Sequence, residues 1–530
     1  MFEHLGASVR WRNGRKLPFA DLISSGKSLV DRLFEDKRMG GDLLFMSTYM
    51  ASITTSGVTR PEIFEYTAGR KEFVPAKYME RVQSYVKRWN YSYVEALTIV
   101  AEKVQNEMLR SMMNRYANSI ESGIPDEDFL NKELGTMRSV YRNTYEQGLE
   151  MLKKWGDAYV AMLFSASLIG IIIMISVAIY SPEGIESTLN MSYLIIFLIS
   201  LIGLSIMYKS VPEDERTHKM GQWKSREQGI VHRMERVVIP LIVVVVLLLV
   251  FLGGNIGMIF LFIGVLLAPL GIIGYIDDAN IIKRDSDFSV FIRGLGAVMG
   301  GKGIPTMNAL ADLDRESLPN IKRLIDSTYS RLNLGLDEKK CWERFIGESG
   351  SSLVYKYMNI FRDAVELGGK PDEIGQIVSS SVLEQVLLRE KRNMFSKGFL
   401  VLLVPMHAAM AAIFLFLFHV MLMMTQAIGS MMGQFGETQS ALSGTSVSGA
   451  AMGGMNLFVN FPEAAMTTYI VIVLVMITVS NILAAKIVAG GDRYMFYLFT
   501  SLLCVISGMI YILAPILVHT FFSIPVMGGA

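Results

Sequence analysis

Cysteine is nearly absent. Two in 530 residues, Cys341 and Cys504, leave no disulfide framework and no cysteine-built metal site. No histidine, cysteine or acid cluster has metal-ligand spacing. The polar start, MFEHLGASVRWRNGRKLPF, lacks the apolar core of a cleaved signal peptide. Lysine and arginine are missing from 181–190, from the short Gly-Asn turn before residue 256, from 425–465 and from 520–530. No basic segment is interleaved with aromatics, so no nucleic-acid partner is expected.

Apolar runs are what the chain has instead. Hydrophobic residues make up 51% and charged residues 19%, too apolar for a soluble protein and too charged for one wholly in lipid. Runs of about 20 apolar residues can cross a hydrocarbon core as helices. Seven occur, at 158–180, 191–208, 237–253, 256–276, 398–424, 466–489 and 494–519. In IPLIVVVVLLLVFL every side of a helix is apolar, which argues against an ordinary core helix. The Lys and Arg residues then divide as 23 in 1–157, seven in 209–236, 18 in 277–397, and Lys486 with Arg493 in the last inner turn. All 50 fall on one side if the N-terminus is cytoplasmic and the C-terminus outside.

The expected fold is all-α. It is a polytopic membrane protein with about seven transmembrane helices and two homologous cytoplasmic helical-bundle domains. The division is 1–157, with the first such domain from about 40; 158–276, four spans with a basic loop at 209–236; 277–397, the second domain; and 398–530, three spans with an outer loop at 425–465. In MNRYANSI and MNIFRDAV apolar residues share one helical face.

The soluble parts repeat. SIESGIPDED and VELGGKPDEI align Glu121, Gly123 and Pro125 with Glu366, Gly368 and Pro371, at a spacing of about 245 residues. Gly57 precedes Glu121 by 64 residues, and Gly303 precedes Glu366 by 63. Met113-Asn114 matches Met358-Asn359 at the same offset. Glycine suits a left-handed helix C-cap, and proline followed by acids suits the next first turn. The acid before the glycine is unfavourable at a helix C-terminus, so a basic partner or a backbone donor is expected for Glu121 and Glu366.

Paired Glu-x-Gly and Pro-Asp-Glu turns, each leading into membrane helices, resemble the type II secretion F-domain family. That family comprises the membrane platforms of type II secretion systems and type IV pili. Seven spans, an added membrane hairpin and a long outer loop resemble its archaeal branch, which assembles the archaellum. The resemblance implies a non-enzymatic platform that docks a hexameric cytoplasmic ATPase and helps lift filament subunits, archaellins or pilins, from the membrane. In the archaellum it also implies support of rotation. It implies a homo-oligomer, dimer or trimer, in contact with membrane lipids, and no cofactor. The platform of an adhesive pilus or secretion system is the alternative.

Other chemistry is sparse. GAVMGGKG, 296–303, sets Gly296, Gly301 and Lys302 at P-loop spacing, but Gly303 stands where a magnesium-binding hydroxyl is needed. It reads as a break between helices. AGGD, 489–492, approaches an aspartyl-peptidase motif without a second intramembrane acid. Asp277 and Asp278 follow the fourth span and read as solvated. His407 and His419 lie in the fifth span, where neutral, hydrogen-bonded histidines are the plain reading and a functional group the sharper one. Seven bases, Lys209, Arg216, Lys219, Lys224, Arg226, Arg233 and Arg236, are candidates for ATPase docking, with membrane topology and lipid contact as the simpler role. A transporter would repeat its membrane halves. Here the soluble parts repeat. A membrane enzyme would need a catalytic constellation, and none is found.

Overall fold

A computed structural model describes residues 37–180, 185–441 and 462–521, with side chains 178–180 and 428–441 left aside. The expected loop at 425–465 therefore lies partly outside the described residues. Among those described, the chain is helical, with one isolated bridge between Thr217 and Ser351. It forms two compact units that divide between Met137 and Arg138.

The first unit contains α1 (37–54), α2 (Arg60–Gly69), α3 (Ala76–Trp89), α4 (Tyr93–Lys103), α5 (Glu107–Glu121) and the start of α6 (Asp126–Tyr180). Its caps are written locally. Thr59 and Ser92 each form a capping box, with Glu62 and Glu95. The core stacks Tyr93 on Phe64, Phe64 on Tyr116 and Tyr116 on Phe129, with ring centroids 5.0, 5.7 and 4.9 Å apart. Asp126 joins three helices by accepting from Arg60 Nε at 3.1 Å and from Tyr116 OH at 3.0 Å.

The second unit holds the rest of α6, then α7 (Ile185–Ser210), α8 (Arg226–Phe251), α9 (Ile256–Lys302), α10 (Thr306–Asp312), α11 (Lys322–Asn333), α12 (Glu338–Ser349), α13 (Ser352–Glu366), α14 (Pro371–Ala441), α15 (Glu463–Ala489) and α16 (Tyr494–Phe521). Among the described residues seven helices, α6, α7, α8, α9, α14, α15 and α16, are long and apolar enough to cross a membrane, and the expected spans fall within them except that 237–253 overruns the end of α8 at Phe251 by two residues. Three run far past a bilayer. At 1.5 Å per residue, 71 residues of α14 extend about 100 Å. That helix continues to Ala441, into the stretch expected to be loop, because QAIGSMMGQFGETQSA carries no proline.

Small residues let the membrane helices approach. On α9, Gly257, Gly264 and Gly271 recur every seventh position along the seam with α16. A Cβ on Gly264 would stand 2.6 Å from Val505, and one on Gly271 would stand 2.6 Å from the Leu498 Cα. Such contacts are how helices pack where lipid supplies no hydrophobic drive. α15 is the most enclosed span, whereas the apolar stretch of α8 has no buried residue.

GAVMGGKG holds the expected break only at its final residue, Gly303; the residues before it are helical. They form the last two turns of α9, and the chain turns only at Gly303, with φ of +63°. Gly296 is crossed by the backbone of Pro371 and Gly375 at the start of α14. A side chain at Gly296 would block that crossing.

Candidate functional site

The turns singled out in the sequence share one geometry. α5 ends at Glu121 and α13 at Glu366, and Gly123 and Gly368 follow with φ of +71° and +89°. Three backbone bonds close each end: Ser122, Gly123 and Ile124 donate to Asn118, Ile120 and Ser119, and Leu367, Gly368 and Gly369 donate to Asp363, Val365 and Ala364. Pro125 immediately precedes α6, and Pro371 opens α14. Gly57 and Gly303 break the preceding helices at φ of +70° and +63°. The partner expected for the acids is absent: among the described residues Glu121 and Glu366 are exposed and make no hydrogen bond or ion pair.

The seven bases divide. Lys209, Lys219, Lys224, Arg226, Arg233 and Arg236 are exposed. Arg216 is buried. It belongs to a strap, residues 211–225, that joins α7 to α8 and lies against the second helical series.

Six charged side chains hold the strap. Arg216 donates to Asp214 at 3.2 Å, to Asp278 of α9, to Asn393 of α14 at 2.7 Å and to the Ala489 carbonyl of α15 at 3.3 Å. Arg389 of α14 donates to Asp214 at 2.7 Å, to Asp285 of α9 at 2.6 Å and to the Glu215 carbonyl at 2.7 Å. Arg392 binds the carbonyls of Pro212 at 2.9 Å, Ile487 at 3.1 Å and Val488 at 3.3 Å. Three guanidiniums thus face three carboxylates with their donors largely used, the condition under which buried charge is tolerable. Burial alone would raise the Asp214 carboxyl. Arg389 and Arg216 outweigh it and hold that group well below the usual range.

The strap also grips the α12–α13 turn. Ser352 N–H donates to the Arg216 carbonyl at 2.9 Å, and His218 Nε2–H donates to the Gly347 carbonyl at 3.0 Å. Trp223 packs on Gly347, where a side chain would collide with it, and the Arg344 guanidinium lies 4.7 Å from the Trp223 ring. Asp277 accepts from Ser225 at 2.8 Å and Gln228 at 3.0 Å. Asp277 and Asp278 are therefore hydrogen-bonded inside the fold, and the expectation that they are solvated is corrected. Arg216 and these aspartates lie far apart in sequence, and no local signal marks them as partners.

AGGD forms the α15–α16 turn, with Gly490 at φ +67° and Gly491 at +70°. Lys486 caps it by donating to the carbonyls of Gly490, Gly491 and Asp492 at 2.8, 2.9 and 2.6 Å. The Arg392 guanidinium fills the space beside Gly490. The strap thus gathers α9, α14, α15 and the α12–α13 turn at one place.

The intramembrane histidines have internal partners. His407 Nε2 meets Ser507 at 2.9 Å, and Asn481 Nδ2–H donates to His407 Nδ1 at 3.0 Å. Thr478 meets Ser507 at 2.9 Å, and Tyr159 OH donates to Asn481 at 3.3 Å. This chain ties α6, α14, α15 and α16. His419 instead bonds the Leu415 carbonyl of its own helix at 2.8 Å.

A family model described as type II secretion system (T2SS), protein F matches residues 46–174. Flagella accessory protein J of Methanocaldococcus jannaschii is 23% identical over 393 residues, 71% of this chain and 69% of that protein. Flagella accessory protein J of Methanococcus voltae is 21% identical over 333 residues, 60% of this chain and 58% of that one. No solved structure matches. The chain is a multi-pass membrane protein whose residues 46–174 match the type II secretion F-domain family, and over most of its length it resembles the flagella accessory J proteins.

Proposed function

We propose that the chain is the membrane platform of an archaeal type IV pilus-like filament, the archaellum. It docks a hexameric cytoplasmic ATPase and passes ATP-driven movement to membrane helices that raise filament subunits, and it supports rotation. The two helical series, within 1–157 and 277–397, are the cytoplasmic domains; 158–276 and 398–530 are the membrane parts. Placing every Lys and Arg inside puts the N-terminus in the cytoplasm and the C-terminus outside. The platform works as a homo-oligomer and itself catalyses nothing.

The observation that carries this reading is the strap. A short connector between two membrane helices is bonded through Arg216 and Arg389 to both long helices, α9 and α14, that run from the membrane into the second helical series. A push on that series reaches the spans through paired charges and packed backbone rather than through a slack loop. Arg216 is an internal tie. Docking falls to the exposed bases Lys209, Lys219, Lys224, Arg226, Arg233 and Arg236, which steer an acidic partner.

Two measurements test the reading. In the host, deletion of the gene abolishes surface filaments seen by electron microscopy, and the intact gene restores them. In detergent, the full chain captures the filament system's ATPase, and the pair Arg226→Glu, Arg233→Glu loses it while retaining the thermal transition. Filaments persisting in the deletion strain, or no ATPase capture with any nucleotide, overturns it.

A further inference from the structure

The first unit carries a surface that neither the strap nor the repeated turns use. α3 ends on Asn90, which takes a left-handed conformation at φ +57°. Trp89 and Tyr91 flank it, 70% and 40% exposed. The second helical series repeats the corner at the offset that relates Glu121 to Glu366. There Gly335 is left-handed at φ +74°, flanked by Leu334 and Leu336, 77% and 54% exposed. Each α3–α4 type corner therefore holds an apolar pair in solvent, where burial against a partner would be favourable. Occurring twice, the exposure belongs to the repeating unit.

The charge beside the corners has diverged. In the first unit, Trp89 borders an open cavity of about 360 Å³ with Arg81, Ser84, Tyr85, Val100 and Lys103. Lys103 Nζ donates to Tyr85 OH at 2.7 Å, and the Arg81 guanidinium lies 5.4 Å from the Tyr78 ring. Among the described residues neither cation has a carboxylate partner, nor does Arg88. In the second series the positions matching Arg81 and Lys103 are Asp326 and Glu348. Arg315 neutralises the first at 2.9 Å, and Arg331 and Arg344 neutralise the second, each at 2.8 Å.

We infer that the Trp89 corner is a docking site for an acidic segment of a separate protein, one that carries an apolar or aromatic anchor beside its carboxylates. The anchor enters the cavity against Tyr85, Trp89 and Val100, and the carboxylates meet Arg81 and Lys103. Aromatic and arginine side chains are the usual anchors of such surfaces. The concavity suits an inserted side chain better than a flat lipid surface. Of the stretches outside the described residues, 442–461 and 522–530 contain no acid and so cannot supply the carboxylates.

The test uses the full chain in zwitterionic nanodiscs and a short fluorescent peptide of glutamates with a central phenylalanine pair. Anisotropy shows saturable binding. It weakens about tenfold or more in Trp89→Ala and in Arg81→Glu, and Trp89→Phe keeps it. Lys87→Ala and Lys340→Glu leave it unchanged, and all variants keep the native thermal transition. Binding by a lysine peptide of the same design overturns the inference, as does equal loss in Lys340→Glu or no saturable binding. Phosphatidylglycerol vesicles or single-stranded DNA binding in a Trp89-dependent way where the peptide does not would assign the corner to those ligands and also overturn it.

Discussion

Arg389 spans two carboxylates from different segments, reaching Asp214 of the strap at 2.7 Å and Asp285 of α9 at 2.6 Å. All three side chains are nearly inaccessible, so neither acid has water to replace its partner.

Removing the arginine is accordingly worse than removing the whole set. Arg389→Met leaves buried Asp285 without a cation and Asp214 with Arg216 alone, and destabilises by about 3–5 kcal/mol. Combining it with Asp214→Asn and Asp285→Asn recovers a large part of the loss, because the three residues act as one network. Thermal unfolding in one detergent reads both effects. Equal losses in the single and triple variants would show that charge pairing does not hold the strap.

Two glycines separate close approach from mere helix propensity. Gly271→Ala places a methyl group against the Leu498 backbone and forces α9 from α16, at about 1–3 kcal/mol. Gly398 of α14 faces open space, so Gly398→Ala is neutral or stabilises by up to about 1 kcal/mol. The same thermal measurement compares them, and equal effects would remove the seam as the reason for Gly271.

What the sequence made legible follows from how local each determinant is. The ends of α5 and α13 were readable because a left-handed glycine and a following proline act within a few residues. Spans were readable because lipid demands long apolar runs. Pairing across hundreds of residues was not. Nothing near Arg216 marks it as the partner of Asp278, so it counted among surface bases, and Asp277 and Asp278 read as solvated. GAVMGGKG was legible as the end of a helix, since Gly303 closes α9, but the role of Gly296 in a helix crossing becomes visible only when α14 is beside it.

The polar chain inside the membrane yields a graded prediction. His407→Leu leaves Asn481 and Ser507 each short of a partner and costs about 1–3 kcal/mol. His407→Gln, which can still meet one of them, costs less. Thermal unfolding with and without Asn481→Leu separates lost bonds from lost packing. If Asn481→Leu and His407→Leu add fully, the two are not coupled.

Strap docking should depend on pH through His218. Its Nε2–H donates to the Gly347 carbonyl while Nδ1 accepts the Met220 N–H at 3.2 Å, so a second proton on Nδ1 removes that acceptor. Burial pushes the His218 imidazole below its ordinary value, the Gly347 hydrogen bond opposes this, and nearby Lys224 adds to the lowering. The folded state therefore favours neutral His218, and the unfolded chain takes up the proton first as pH falls. The contribution is complete above the ordinary histidine value of about 6.5 and is lost as pH drops from there through the lower folded value. Other groups titrate in the same range, so the useful quantity is the difference between the native chain and His218→Gln, whose amide can retain the bond to Gly347 without taking a proton. Thermal transitions recorded from about pH 8 to pH 5 should converge for the two at low pH, as the native chain loses its advantage. A constant difference across that range would mean that His218 holds the α12–α13 turn by shape alone.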